Sequence, residues 1–346
     1  MAHPRLALRL RPYDHVCPLL LGEVDVPGTE LDIDWRGPLA ITFPDELDAA
    51  EVSFNRYVLA KARGENDLVG IPMFILRGFR HRNFFVREDS DLTGLEMLRG
   101  RRVATNSWSD TGTMWARAAM RDAGVGVGDV DWVTGTLDAA TPTRPAGAKD
   151  LKPPESAQTL PAGDTLMAAL LDGRVDAITT AFAPAELFTE TSRIRRLVTD
   201  YVDVERDYYR RTGVYPGFHI VAFRRSYAEA WPNVVVDLYR ALKRAWDSWW
   251  LKAIRFAEAS PWAMAEIETM AFEFAGDTPP FGVSSLGHRR MLSAICAEQE
   301  AQHLVDKAAD PETLFADFLE ILDRLGLDEP GLFAEVAPPA AANRAI

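Results

Sequence analysis

VERDYYRRTGVYPGFHIVAFRR, residues 204–225, joins two kinds of chain in one run. Its first half is charged and aromatic, with Glu205, Asp207, Tyr208, Tyr209, Arg210 and Arg211 crowded together. Thr212-Gly213 turns the chain, and Pro216-Gly217 leads into His219 and the alternating strand Ile220-Val221-Ala222-Phe223. Guanidinium pairs with carboxylate through two parallel hydrogen bonds and stacks on rings, so two arginines beside two tyrosines suit an acidic aromatic ligand. The same residues also read as a solvated helix end feeding a core strand, since exposed ion pairs are common and contribute little. A second stretch, IPMFILRGFRHRNFFVRE at residues 71–88, favours the first reading by repeating the grammar. There an apolar strand gives way to Arg77, Phe79, Arg80 and His81, and a further strand, Phe84-Phe85-Val86, follows. Two crossings, each with a histidine and arginines at its mouth, predict the two hinge strands of a two-lobed protein.

The 346 residues are 47% hydrophobic and 26% charged, enough to bury a sizeable core and to form two domains. A formal charge of −13 argues against nucleic acid or an anionic membrane as partner, and an anion site must gather its arginines locally. Cys17 and Cys296 lie far apart with no metal or redox spacing, which fits thiols in a reducing compartment. The start, MAHPRLALRLRPYDH, lacks an apolar stretch of signal-peptide length, and no run approaches a membrane span. A cytoplasmic protein is expected.

Outward from the crossings, residues 6–10 and 31–35 read as strands and residues 44–64 as a helix with Gly64 as its cap. A middle unit alternates strand and helix: a short helix at 95–100, a strand at 102–105, a helix at 111–123, strands at 131–133 and 175–180, and a helix at 165–171. That alternation implies a mostly parallel sheet. Thr111-Gly112-Thr113 stands where a helix N-terminus can hold a carboxylate, and equally where Asp110 or Thr111 caps the helix. The Pro-rich residues 142–161 read as a surface excursion, and 337–346 as a disordered tail. After residue 225 the pattern is helical, with Trp231, Trp246, Trp249, Trp250 and Trp262 spaced for a buried face. A sheet-and-helix unit enclosed by sequence of another lobe is the layout of the type II periplasmic-binding-protein fold: α/β, two mixed sheets flanked by helices, with a helical C-terminal extension. The expected lobes are residues 1–87 with 223–346, and residues 88–222, hinged near 82–87 and 219–224. Ligands in such a fold sit in the cleft between lobes.

The six histidines form no HxH or HxxxH pair, and the glycines at 124, 126 and 128 follow a helix rather than a strand, so they are a turn and not a dinucleotide loop. No GxSxG or phosphate-binding loop is present, so no cofactor is expected. Arg77, Arg80, Arg210 and Arg211 remain for anions, and Asp14, His15, His81, Glu205 and His219 for proton transfer.

Residues 71–81 and 204–219, Tyr13-Asp14, and TLMAALLDGRVDA at 165–177 resemble the 4,5-dihydroxyphthalate decarboxylase family over residues 6 to about 315. The chain departs from that family at Asn106-Ser107-Trp108, at Phe281-Gly282 and in the 142–161 segment. The resemblance implies a cofactor-independent carboxy-lyase acting on a small hydroxylated aromatic carboxylate, with a homo-oligomer left open. A hydroxyl ortho or para to the carboxylate pushes electrons to the ring carbon, which is protonated before CO2 leaves. The candidate site is His81, His219, Asp14 and Glu205 for catalysis, with Ser53, Asn55, Arg77, Arg80, Thr111, Tyr208, Arg210 and Arg211 for substrate. His81 and His219 are expected to face one another across the cleft. The alternatives are a solute-binding protein and a menaquinone-pathway dehydratase or synthase type on the same fold.

Overall fold

Leu6, Leu8 and Leu10 alternate with Arg5, Ala7 and Arg9, and the three leucines are fully buried, as a strand with one apolar face requires. The computed structural model describes residues 3–37, 39, 43–139, 153–273 and 281–328. The expected tail at 337–346, and the 142–152 part of the Pro-rich segment, lie outside them.

The first sheet is built from β1 (Arg5–Arg9), β2 (Glu30–Asp34), β3 (Ala49–Ser53), β4 (Leu68–Arg77) and a returning strand, Gly217–Arg224, in the order β2-β1-β3-return-β4. The return strand runs antiparallel to β3 and β4, whereas β1 runs parallel to β2 and β3. The second sheet comprises β5 (Phe84–Arg87), β6 (Arg102–Thr105), β7 (Asp131–Thr134), β8 (Gln158–Thr159), β9 (Ala177–Thr179) and β10 (Ile194–Arg196), in the order β10-β5-β9-β6-β7-β8. The return strand is then β11. Helices α1 (Cys17–Leu20), α2 (Phe54–Ala62), α3 (Thr111–Asp122), α4 (Leu166–Leu171) and α5 (Tyr201–Thr212) are interleaved with the strands. After β11 come α6 (Arg225–Ala230), α7 (Pro232–Arg255), α8 (Ala263–Glu273), α9 (Leu286–Ala301) and α10 (Ala316–Arg324). No helix among the described residues is long and apolar enough to cross a membrane.

Alternation along the central strands sends apolar side chains into two layers of the first sheet. Ala50, Val52, Ile220 and Ala222 pack with Phe54, Phe74 and Met291, while Ala49, Val221 and Phe223 pack with Tyr239, Leu242 and Phe318. The tryptophans divide: Trp246 packs against the second of these layers, whereas Trp231 and Trp262 are exposed, against the expectation of a wholly buried stripe.

The helix expected at 44–64 and the two expected hinge strands are corrected by the structure. Residues 44–64 are not one helix, because Ala49–Ser53 is a strand and the helix begins only at Phe54. Ala and Glu favour helix, and a strand buried on both faces shows no alternation to reveal it. β5 belongs wholly to the second sheet and β11 wholly to the first. The chain therefore crosses at 78–83 and 213–216, not along the strands at 82–87 and 219–224. Gly213, at φ 66°, ends α5 in the left-handed conformation that the second crossing requires.

Candidate active site

The C-terminal ends of β1 and β3 and the N-terminal end of antiparallel β11 meet at one edge of the first sheet. β11 pairs with β3 so that His219 stands opposite Ser53 and Val221 opposite Glu51. Glu51 and His219 are thus diagonal neighbours on one face, within reach of each other. Oε1 of Glu51 lies 2.7 Å from Nδ1 of His219. The same carboxylate accepts from the Arg11 main-chain N–H at 3.2 Å, from Arg11 Nε at 3.1 and 3.2 Å, from Arg11 Nη2 at 2.5 Å and from the Tyr13 hydroxyl at 2.7 Å. Arg11 Nη2 also lies 2.7 Å from His219 Nδ1.

Glu51 is only 2% exposed. Burial by itself would push its carboxyl up, but the hydrogen bonds and charges of His219 and Arg11 prevail and hold it at about 2. Burial is also the largest influence on His219, and it lowers the imidazole below its ordinary value while Glu51 pulls upward. Tyr13 is raised by burial and by the Glu51 charge. The result is a fixed carboxylate beside a neutral imidazole whose side chain keeps 13% exposure. Glu51, Arg11 and Tyr13 were not among the residues expected for the site.

Arg80 enters from the first crossing. Its guanidinium lies 3.8 Å over the Phe218 ring and donates from Nη1 to the Ala181 carbonyl at 2.8 Å. It rests on the first turn of α3, where a Cβ on Gly112 would come within 2.6 Å of Nη2. Nε is buried and has no hydrogen-bond partner among the described residues. Burial pushes Arg80 down to about 10, with the Asp110 charge opposing. Asp110 acts on His219 in the same sense, so it lies within electrostatic reach of both groups.

Ser53, Asn55 and Thr111 are buried, and they form a seam between the two sheets. Ser53 Oγ meets Thr111 Oγ1 at 2.8 Å, and Thr111 Oγ1 accepts the Asn55 main-chain N–H at 3.1 Å. The Asn55 amide donates to the Ser109 carbonyl at 3.1 Å, and its Oδ1 accepts from Gln299 at 2.8 Å. These groups position α2 against α3 and are committed to one another.

Other expected residues stand elsewhere. Glu205 is bound by Arg82, through Nε at 3.0 Å to both oxygens and through Nη2, and so ties α5 to the first crossing. Asp14 is exposed at the surface, and Glu51 occupies the place expected of it beside the histidine. Arg211 is 51% exposed and pairs with Asp122 at 2.9 and 2.7 Å; Arg210 is exposed on the same last turn. Arg211 is thus committed to Asp122 rather than to a clamp with Arg80. Arg77 donates to the Tyr215 carbonyl at 2.8 Å, meets His288 Nε2 at 3.2 Å and stacks 4.3 Å over Tyr215, a packed position in which burial takes it down to about 10. His81 is buried against Tyr208 with ring centroids 5.1 Å apart, and burial lowers it to about 4. Tyr208 is itself pushed up to about 12 by burial. Among the described residues no contact joins His81 to His219 or to the Glu51 group, so the expected pair of facing histidines is not what the packing builds. Among the described residues no group of His, Cys, Asp and Glu could hold a metal ion.

Two mixed sheets with a site at the strand ends define the type II periplasmic-binding-protein-like class, and solved structures agree. The desulfurization enzyme DSZB aligns over 93% of this chain and 99% of its own, at a TM-score of 0.53 and 18% identity. The periplasmic aliphatic sulphonate binding protein SsuA of Escherichia coli aligns over 90% and 99%, at 0.51 and 16%. No family model matches the chain. In sequence it is a distant homologue of 4,5-dihydroxyphthalate decarboxylase. The Comamonas testosteroni enzyme is 27% identical over 252 residues, 71% of this chain and 76% of the relative. That of Pseudomonas putida is 26% identical over 216 residues, 59% and 81%.

Proposed function

We propose that this protein is a decarboxylase of a hydroxylated aromatic carboxylate, of the 4,5-dihydroxyphthalate or hydroxybenzoate class, with His219 as proton donor. The observation that carries this reading is the 2.7 Å contact between His219 Nδ1 and the buried Glu51 carboxylate. An imidazole oriented by an ionised, buried acid and still partly exposed is the arrangement a general acid requires. With Nδ1–H directed to Glu51, the protonated ring presents Nε2–H to the substrate.

The reaction balances without an added oxidant or reductant. The phenol oxygen pushes electrons to the ring carbon bearing the carboxylate, and that carbon takes the Nε2 proton. A C–H bond forms as the N–H bond breaks. The bond to the carboxylate then breaks, its electron pair restores the aromatic ring, and CO2 leaves. His219 is left neutral and recovers a proton from solvent. Arg80, stacked on Phe218 at the start of α3, is suited to hold a second carboxylate of the substrate.

The test is CO2 release from 4,5-dihydroxyphthalate and a panel of hydroxybenzoates. Turnover by the wild type that falls by about 10²-fold or more in His219→Gln supports the proposal. Binding without CO2 release from any of the panel sinks it and favours a solute-binding protein.

A further inference from the structure

Nδ1 of His219 has two neighbours with opposite demands. Glu51 Oε1, at 2.7 Å, is an acceptor and requires a proton on Nδ1. Arg11 Nη2, also at 2.7 Å, is a donor and requires the lone pair. One nitrogen cannot satisfy both at once, so the proton and Arg11 compete for it. Arg11 commits its main-chain N–H, Nε and Nη2 to this group, whereas Nη1 has no hydrogen-bond partner among the described residues. The Arg11 side chain is 26% exposed, and its guanidinium lies 5.4 Å from the centre of the Tyr13 ring.

We propose that Arg11 anchors the carboxylate that the reaction removes, and that docking of this carboxylate lets Nδ1 of His219 take up a proton, so that the ring becomes an imidazolium able to deliver its Nε2 proton. The inference rests on the reading of His219 as proton donor. A substrate carboxylate on Nη1 draws the guanidinium outward and shares its charge, which loosens the Arg11 hold on Nδ1. The charged groups that act on His219 are Glu51 from β3, Arg11 from the segment after β1 and, through its field alone, Asp110 from the start of α3. Of these only Arg11 opposes an imidazolium. Once a carboxylate neutralises it, two acidic groups remain to stabilise the protonated ring. Without ligand, burial keeps His219 below its ordinary value and neutral at pH 7. The acid is therefore made when its substrate arrives, and the decarboxylated product loses its hold on Arg11.

Phthalate tests this, because it carries the carboxylates but no hydroxyl to drive electrons into the ring, so it binds without reacting. Titration calorimetry at pH 7 in two buffers of different ionisation enthalpy should show net proton uptake by the wild type. The sign follows from a His219 pKa that is higher in the complex than in the free protein. Affinity should weaken as pH rises through the bound-state pKa, by up to about tenfold per pH unit. His219→Gln should bind phthalate with the uptake abolished. Arg11→Gln should bind at least tenfold more weakly and take up no proton. If Arg11→Gln does not fold, His219→Gln and the wild-type pH dependence still decide the matter. Absence of phthalate binding, binding without proton uptake in the wild type, or uptake that persists in His219→Gln overturns the inference. CO2 release from 4,5-dihydroxyphthalate together with no uptake leaves the decarboxylase reading standing and removes this one. Uptake lost in His219→Gln, with no CO2 from any hydroxybenzoate, removes the decarboxylase reading and supports the coupling of Arg11 to His219.

Discussion

Glu51→Gln is the most exacting perturbation of the site. The carboxylate accepts from five donor groups while 2% exposed, and glutamine keeps the shape but replaces one acceptor oxygen with a donor facing Arg11. Its carboxyl is held at about 2 against an ordinary 4.5. At about 1.4 kcal/mol per unit, the ionised group stabilises the fold by roughly 3 kcal/mol. Because the folded pKa is the lower one, that stabilisation is complete above about pH 4.5 and fades as pH falls toward 2. Urea unfolding followed by tryptophan fluorescence should therefore show Glu51→Gln about 3 kcal/mol less stable at pH 7, with the deficit shrinking at pH 3. Decarboxylation should fall by about 10²-fold or more, since His219 loses the acceptor that orients Nδ1–H. A variant as stable as the wild type at pH 7, or with a deficit that does not shrink on acidification, refutes the account of Glu51 as a buried, ionised partner.

Arg80→Lys keeps the charge but loses the flat contact with Phe218 and the bond to the Ala181 carbonyl, so KM should rise about tenfold with kcat little changed; steady-state kinetics on the preferred substrate decides it, and an unchanged KM removes Arg80 from substrate binding. Arg211→Ala breaks an exposed pair with Asp122 and should shift stability by less than about 1 kcal/mol, with kcat/KM within twofold; a large fall in kcat/KM would return Arg211 to the site. Glu205→Gln leaves the partly exposed Arg82 without its counter-ion and should cost about 2 kcal/mol on urea unfolding while turnover of the folded enzyme persists; abolished turnover in a stable variant would show that Glu205 acts in catalysis.

Much of the fold is legible in residues 71–88 and 204–225, because the change from apolar alternation to charged turn marks where the chain leaves one sheet for the other. The site is less legible. Arg80 and Arg211 look alike in sequence, and the difference is made by Asp122, 89 residues away, which meets Arg211 at the surface. His81 and His219 also look alike, and only the pairing of β3 with β11 shows which of them gains a carboxylate. Glu51 itself is hidden by composition. Ala49-Ala50-Glu51-Val52-Ser53 favours helix by propensity, and because both faces are buried it lacks the alternation that would betray a strand. A lone acid inside an apolar run is the one signal that points to it.

The topology explains why these residues meet at all. β1 and β3 run parallel, so Arg11 and Tyr13, just beyond β1, come to the same edge of the sheet as Ser53 at the end of β3. β4 runs antiparallel to β11, and so in the sense of β3, which brings the first crossing and Arg80 to that edge as well. β11 is the exception, since it enters the sheet at this edge and carries His219 in its first turns of pleat. A parallel β11 would place His219 at the far end, away from Arg11 and Arg80. Register is equally restrictive. Glu51 and His219 share a face only because Val221 stands opposite Glu51, and a slip of one residue would turn the imidazole to the opposite face of the sheet. The apolar residues that fix that register, Ile220 and Ala222 toward one layer and Val221 and Phe223 toward the other, are therefore as necessary to the placement of His219 as the carboxylate that holds it.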